Sequence, residues 1–300
     1  MRLLLINTQT LPLPAAGNRL NNNYRRYSIR NRAKIKIIRD TVRATNPTIV
    51  IFSETKHIST EQATSFKLAS NYMLLMETHN TRNIRQGGII VMQKKGIATV
   101  DIDTIIASIN GPHSVSVRLN VNTAEVILTA VYGPNETADQ LNSAYFNEIN
   151  TTLSALTRTG TETKIVAGDF NAVIKEDDSS SNNPLPSNKK LTRLAITNLM
   201  DTHNLEDIVL GHRTGLTHTW NRTDTTPNNK DKRQLSRLDR VLATANTHSS
   251  NFDTLVMPTF DHRAVTVDIN IGKKNRTTII TQDNVLRSNK YLKIVIIRSC

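Results

Sequence analysis

The chain has 300 residues, with 38 Lys and Arg against 25 Asp and Glu; this is enough for one large or two small domains, and its net charge of +13 favours a polyanionic partner, nucleic acid before an anionic membrane surface. The single cysteine, Cys300, excludes an intrachain disulfide or a cysteine-ligated metal cluster and fits a reducing intracellular compartment. No apolar run nears the roughly 18 residues that span a bilayer, and Leu3 to Ile6 is too short for a signal-peptide core, so neither a membrane segment nor an export signal is expected.

The charge is uneven. Residues 1–45 hold ten basic side chains and one acidic, and residues 273–300 hold seven and one, so the middle is near neutral. Along the chain, Leu3 to Ile6 reads as a strand ending on Asn7. Leu11 to Asn31, rich in Pro, Asn and Arg with Tyr24 and Tyr27 among the arginines, reads as a loop. Ile35, Ile38 and Val42 then share a helical face, and Pro47 stops that helix before the strand Thr48 to Phe52, which runs through Ser53 to Glu54. Further strands fall at Met73 to Met76, Gly88 to Met92, Val115 to Leu119 and Val126 to Val131, the last opening Tyr132-Gly133-Pro134-Asn135. Leu141, Tyr145, Ile149 and Leu153 or Leu156 mark a second helix face, and Leu191, Leu194, Ala195 and Leu199 a third. Between those helices, Ile165 to Ala167 is a strand that ends on Gly168 and presents Asp169 and Asn171; Asp177 to Asn188 reads as a loop.

After Trp220, the polar stretch Asn221 to Gln234 reads as a loop with hairpin signals, Asp239 lies within the apolar strand around Leu238 to Leu242, and Asp261-His262 follows Pro258-Thr259-Phe260. Several strands are continuously apolar rather than alternating, as burial on both faces requires, so the expected architecture is packed sheets with helices outside.

Side chains two apart on extended backbone point the same way, so Asp169 and Asn171 can face one site. A carboxylate and a carboxamide at a strand end can orient a water and hold a phosphate oxygen, which is hydrolytic chemistry. Each polar strand end taken singly also reads as a cap or turn residue.

The ordered blocks Leu-Ile-Asn7, Phe-Ser-Glu54-Thr, Gly87-Gly88, Val-Tyr132-Gly-Pro-Asn, Ala-Gly-Asp169-Phe-Asn171, Thr219-Trp220, Arg-Leu-Asp239 and Asp261-His262 resemble the endonuclease/exonuclease/phosphatase superfamily, from Arg2 to about Asn270. That superfamily includes apurinic/apyrimidinic endonucleases, deoxyribonuclease I and the endonuclease domains of non-LTR retrotransposons. The resemblance implies an α/β (α+β) fold, a four-layered sandwich of two mainly antiparallel sheets flanked by helices. It also implies a catalytic domain over residues 1–270 and a basic extension over 271–300.

By the same resemblance, Glu54 is the main ligand of a divalent cation, Mg2+ with Mn2+ as a substitute, and Asp261 touches it. Asn7 helps place ligand and phosphate, Asp169 orients or deprotonates the attacking water, and Asn171 holds the water or a phosphate oxygen. His262, steadied by Asp239, stabilises charge on the phosphate, and Tyr132 donates to it. Two positions depart from the pattern: Gln9 stands where many repair enzymes carry an acid, and Phe260 stands where a Ser commonly precedes the Asp-His pair.

For DNA binding, Trp220, Arg222, Lys230, Lys232, Arg233 and Arg237 lie in a segment that matches the target-choosing hairpin of retrotransposon endonucleases. Arg25 and Arg26, in the Arg/Tyr-rich stretch, suggest a second contact. The expected function is therefore a Mg2+-dependent endonuclease that nicks double-stranded DNA to leave a 3′-hydroxyl for target-primed reverse transcription. It would act in the nucleus after synthesis in the cytoplasm, with a reverse transcriptase domain in the same longer polypeptide and no membrane association. The alternatives are an abasic-site repair endonuclease, a lipid or inositol phosphate hydrolase, and a non-catalytic DNA-binding module.

Overall fold

The computed structural model describes residues 1–8, 22–56, 68, 70–78, 87–107, 113–121, 124–134, 138–179, 189–208, 218–223, 233–245 and 247–271. The first half runs β1 (Arg2–Asn7), α1 (Asn22–Thr45), β2 (Ile49–Ser53), β3 (Tyr72–Thr78), β4 (Ile89–Lys94), β5 (Ala98–Ala107), β6 (Ser114–Val121) and β7 (Ala124–Tyr132). The second half runs α2 (Asp139–Leu156), β8 (Thr163–Asp169), α3 (Lys190–His203), β9 (Leu205–Asp207), β10 (Trp220–Thr223), β11 (Arg233–Ser236), β12 (Asp239–Thr244), β13 (Ser249–Leu255) and β14 (Ala264–Ile269).

Two six-stranded sheets form, in the orders β13-β14-β1-β2-β4-β3 and β5-β6-β7-β8-β12-β9, and β10-β11 is a separate two-stranded ribbon. Each large sheet has one parallel pair among antiparallel neighbours, β1 with β2 and β7 with β8. Those are the pairs joined through a helix, α1 and α2, because parallel neighbours need a crossover long enough to return the chain to its starting end.

Alternation along the strands builds the layers. Leu3 and Leu5 of β1, Ile49 and Ile51 of β2, Leu128 and Ala130 of β7, Ile165 and Ala167 of β8, and Val241 and Ala243 of β12 all enter one core between the sheets. The intervening Leu4, Ile6, Val50 and Phe52 face the other way and meet Ile38 and Val42 of α1. Ile127, Val131, Val166 and Leu242 likewise turn outward against Tyr145, Phe146, Ile149 and Leu153 of α2 and Ala195, Ile196 and Leu199 of α3. The continuously apolar strands are therefore buried on both faces, and the order is helix, sheet, sheet, helices, the four-layered sandwich expected.

Several boundaries differ from the sequence expectation. The Leu11 to Asn31 stretch is helical from Asn22 onward, and the Asn221 to Gln234 stretch begins and ends in β10 and β11. In α2 the buried positions are Asn142, Tyr145, Phe146, Ile149, Leu153 and Leu156, and Leu141 is exposed. In α3 they are Thr192, Ala195, Ile196, Leu199 and His203, with Leu191 and Leu194 exposed. The reason is a tertiary cap: the Asp139 carboxylate accepts from the Leu191 and Thr192 backbone N–H groups at 2.6 and 3.0 Å and from the Thr192 hydroxyl, which turns Thr192 inward and its apolar neighbours out.

Candidate active site

Polar residues take over the inward positions where the strands end. Asn7 continues the Leu3, Leu5 parity, Tyr132 that of Leu128 and Ala130, and Asp169 that of Ile165 and Ala167, while Asp239 precedes Val241 and Ala243 on the same face. Register then sets them side by side: Tyr132 opposite Asp169, and Asp169 opposite Asp239. One mouth of the sandwich is thereby lined with groups that would be misplaced anywhere deeper.

Gly168 makes the exit of β8 possible. Its φ is +144°, and a Cβ there would lie 2.0 Å from the Val131 carbonyl oxygen. Gly133 is required for the same reason of close approach, since a Cβ would fall 2.1 Å from the Phe170 carbonyl oxygen; its N–H donates to the Asp169 carbonyl at 2.6 Å.

Asp169 is 1% exposed and held on both oxygens: Asn7 Nδ2 donates to Oδ2 at 2.8 Å, and the Asn171 backbone N–H donates to Oδ1 at 2.8 Å. Asn171, at φ +47°, donates its Nδ2 to the Gly133 carbonyl at 2.7 Å, so its own carboxamide is clamped. His262 Nδ1 and Asp239 Oδ2 are 2.8 Å apart, and Nε2 lies 3.5 Å from Asn7 Nδ2, which is already committed to Asp169. Thr219 braces this pair: its Oγ1 accepts from the Leu238 and Asp239 N–H groups at 3.1 and 3.0 Å, its carbonyl accepts from Arg263 N–H at 2.7 Å, and Trp220 bridges to His262.

Burial, and then the neighbouring Asp239 carboxylate, push the Asp169 carboxyl up to about 7 against the opposing pull of His262 and its hydrogen bonds. Burial alone would lower His262, but Asp239, through charge and hydrogen bond, and then Asp169 and Asp261 outweigh it and raise the imidazole to about 10. The Tyr132 phenol is pushed far above its usual range by burial and then by Glu54, Asp169 and Asp261, so it stays a neutral donor. One proton acceptor poised near neutrality therefore sits beside one imidazolium held charged by a carboxylate.

The rim carries the oxygen donors. Glu54 leaves β2 at φ +54°, fixed there because Thr8 Oγ1 donates to the Ser53 and Glu54 carbonyls and the Thr55 and Lys56 N–H groups donate to Gly88 and Gly87. Its Oε1 meets Lys56 Nζ at 2.8 Å. Asp261 Oδ1 is buried without a hydrogen-bond partner among the described residues. Asp169, Asp239 and His262 also bring ligand atoms within 4.8 Å of one another, but those atoms already satisfy one another and Asn7. The orphaned Asp261 oxygen, with the Glu54 carboxylate near the same Tyr132, better suits a hard divalent cation, which takes oxygen donors.

Sequence reasoning missed three cations and two acids. Lys34 of α1 lies 4.9 Å above the Phe260 ring and faces Asp261 and Glu54, so Phe260 at the position of the expected Ser supports an ammonium at the mouth. Lys56, adjacent in sequence to the Glu54 block, could have been found from that spacing; Lys34 could not. Arg237 corrects an expectation: it is 1% exposed and cannot reach DNA. Its Nε and Nη1 donate to Asp178 at 2.9 Å and Asp207 at 2.7 Å, and Arg240 binds the same two carboxylates, closing a neutral buried set. Charge alone did not distinguish Arg237 from its exposed-looking neighbours.

Trp220 pairs with Ser236 at the base of the β10-β11 ribbon, half-buried. Arg222 and Arg233 lie on that ribbon, and Arg25 and Arg26 lie in α1 rather than a loop, their side chains outside the described residues, as are Lys230 and Lys232 altogether.

The profile of the Endonuclease/Exonuclease/phosphatase family matches residues 7–262. No curated protein matches the chain. Among solved structures, an AP endonuclease from Archaeoglobus fulgidus is 12% identical with a TM-score of 0.64, over 90% of this chain and 100% of that one. A 3′-5′ exonuclease (NExo) from Neisseria meningitidis is 15% identical with a TM-score of 0.61, over 90% and 100%. The endonuclease domain of TRAS1, a telomere-specific non-LTR retrotransposon, is 12% identical with a TM-score of 0.59, over 91% and 99%. At these identities the likeness is one of fold.

Proposed function

The chain belongs to the endonuclease/exonuclease/phosphatase family, and on that premise we propose that it is a divalent-metal-dependent DNA endonuclease. The reading is carried by one observation: Asp169, raised to about 7 and clamped by Asn7 and Asn171, faces a His262 paired with Asp239 at 2.8 Å. That arrangement supplies a base and a cation side by side at the mouth, where one phosphate can meet both.

In this mechanism Asp169 takes a proton from the attacking water, whose oxygen bonds to phosphorus as the P–O3′ bond breaks. The Asn171 carboxamide orients the water or a phosphate oxygen. The His262 imidazolium stabilises the charge that develops, and the neutral Tyr132 phenol donates to a non-bridging oxygen. Glu54 and Asp261 would hold Mg2+, with Mn2+ as a substitute, which neutralises phosphate charge when bound. The departing 3′-oxygen takes its proton from solvent, so the products are a 5′-phosphate and a 3′-hydroxyl.

The basic excess and the ribbon bearing Trp220, Arg222 and Arg233 support duplex DNA as substrate, with Lys230, Lys232, Arg25 and Arg26 as further phosphate contacts. The likeness to the endonuclease domain of TRAS1, a non-LTR retrotransposon, supports a retrotransposon setting, and within this proposal the nick primes reverse transcription in the nucleus, by a reverse transcriptase domain of the same longer polypeptide. The AP endonucleases among similar structures support a second reading, incision at abasic sites, which Gln9 in place of an acid disfavours.

Supercoiled plasmid with Mg2+ tests the proposal. Nicking is expected, with loss on adding EDTA or on Asp169→Ala or His262→Ala; activity that survives any of these overturns it. Abasic duplex cut far faster than intact duplex would select the second reading.

A further inference from the structure

Helix α1 holds eight basic residues and one acidic one, whereas α2, across the sandwich, holds two acidic and no basic residues. α3, beside α2, holds two basic and one acidic residue, so the strong basic excess among these three helices lies in α1. An ordinary solvated helix face intersperses the two signs.

The exposed residues of α1 are arranged as well as charged. Arg32, Lys36, Arg39 and Arg43 follow one another at spacings of four, three and four, which on an α-helix is a single stripe. All are exposed, and they line an open groove of about 520 Å³ with Ile35 and Asp40. The stripe spans about 16 Å at the helical rise, the length of B-form DNA axis over which one strand carries roughly five phosphates. The lone acid, Asp40, ties Lys36 at 2.7 Å and Arg43 at 3.2 Å through exposed ion pairs, which are weak and exchangeable for phosphate.

The stripe also begins at the active site. At its far end, Arg2 Nη1, from the start of β1, donates to the Thr45 carbonyl at 2.9 Å, so α1 runs back along β1 from the mouth where Asn7 lies. Lys34, two residues after Arg32, faces Asp261 and Glu54 at that mouth.

We propose that the outward stripe Arg32, Lys36, Arg39 and Arg43 is a track for the DNA backbone flanking the scissile phosphate, continuous with the mouth through Lys34. The inference rests on the DNA-endonuclease reading. It assigns to α1 a role in holding the flank that the chemistry of the mouth does not need.

The test compares a short duplex that fills only the mouth with a long duplex, using wild type, Lys36→Ala/Arg43→Ala and Asp40→Asn. The substituted side chains are largely exposed. For the double variant, the expected result is weaker binding of the long duplex by about 10- to 100-fold at low salt, with a salt slope smaller by about 2. Asp40→Asn should tighten long-duplex binding several-fold, and both variants should nick the short duplex at the wild-type rate. Unchanged affinity and salt slope on the long duplex, with nicking intact, overturn the track. So does a change confined to binding of phosphatidylserine vesicles, which would make the stripe a membrane contact. If wild type nicks neither duplex, it is the endonuclease reading itself that fails, and the track with it.

Discussion

Asn7 and Asp169 belong to different sheets, and the 2.8 Å hydrogen bond from Asn7 Nδ2 to Asp169 Oδ2 closes the sandwich at the mouth. It does two things at once: it satisfies a carboxylate that is 1% exposed, and it opposes the rise in that carboxylate's proton affinity.

Replacing Asn7 with Ala should therefore raise the Asp169 pKa above about 7. The acid limb of the kcat–pH profile should move to higher pH, and kcat at neutral pH should fall by about 10²-fold or more. An acid limb that stays in place would separate Asn7 from the base.

In the wild type, activity should rise as pH passes through about 7 and Asp169 loses its proton, then fall above about 10 as His262 loses its own. The His262–Asp239 pair also contributes stability. The folded imidazole lies above its unfolded value of 6.5, so the contribution is complete below pH 6.5 and is lost as pH rises through about 10. Asp239→Asn removes the main raising influence, so the alkaline limb should shift down in pH.

Asp178 behaves in the opposite sense. Its carboxyl is lowered to about 2 because Arg240, then Arg237 and the Lys175 N–H, outweigh the cost of burial. Stability from this group is present above its unfolded value of 3.8 and is lost as pH falls through about 2. Asp178→Asn leaves two buried guanidinium groups sharing the single Asp207 carboxylate, one positive charge uncompensated, and should cost about 3–5 kcal/mol in urea unfolding at pH 7. Arg237→Ala should likewise lower stability, and it should not act as the loss of one DNA phosphate contact, which would reduce the salt slope by about 1.

Asp261→Asn should weaken Mg2+ or Mn2+ binding by about tenfold or more, read by calorimetry on the metal-free protein. Its Oδ1 makes no hydrogen bond among the described residues, so unfolding midpoints should hardly change. Equal cation affinity in the variant would remove Asp261 from the ligand set.

The strands and their polar ends were legible because burial on both faces demands continuous apolar runs, and an Asn, Asp or Tyr that ends such a run at an inward position stands out. Asn7, Tyr132, Asp169 and Asp239 were found in that way. The faces of α2 and α3 were not, since Leu141, Leu191 and Leu194 satisfy a helical period as well as the buried set does, and the Asp139 cap that selects between them bridges residues 52 and 53 apart.

By itself, the amino-acid sequence determined packed sheets with helices outside, the order of the polar strand ends and the excess of positive charge, which follow from local periodicity and composition; the four-layered arrangement and the roles at the site came with the family resemblance. Only the tertiary structure decided which charges are usable. Arg237 and Arg240 are neutralised inside by Asp178 and Asp207, Lys34 is brought over Phe260 to the mouth, and Arg32 to Arg43 are left in solvent. The physical reason is that a cation's role is set by the distance to its counter-charge and by its access to water, and both depend on contacts between residues far apart in the chain.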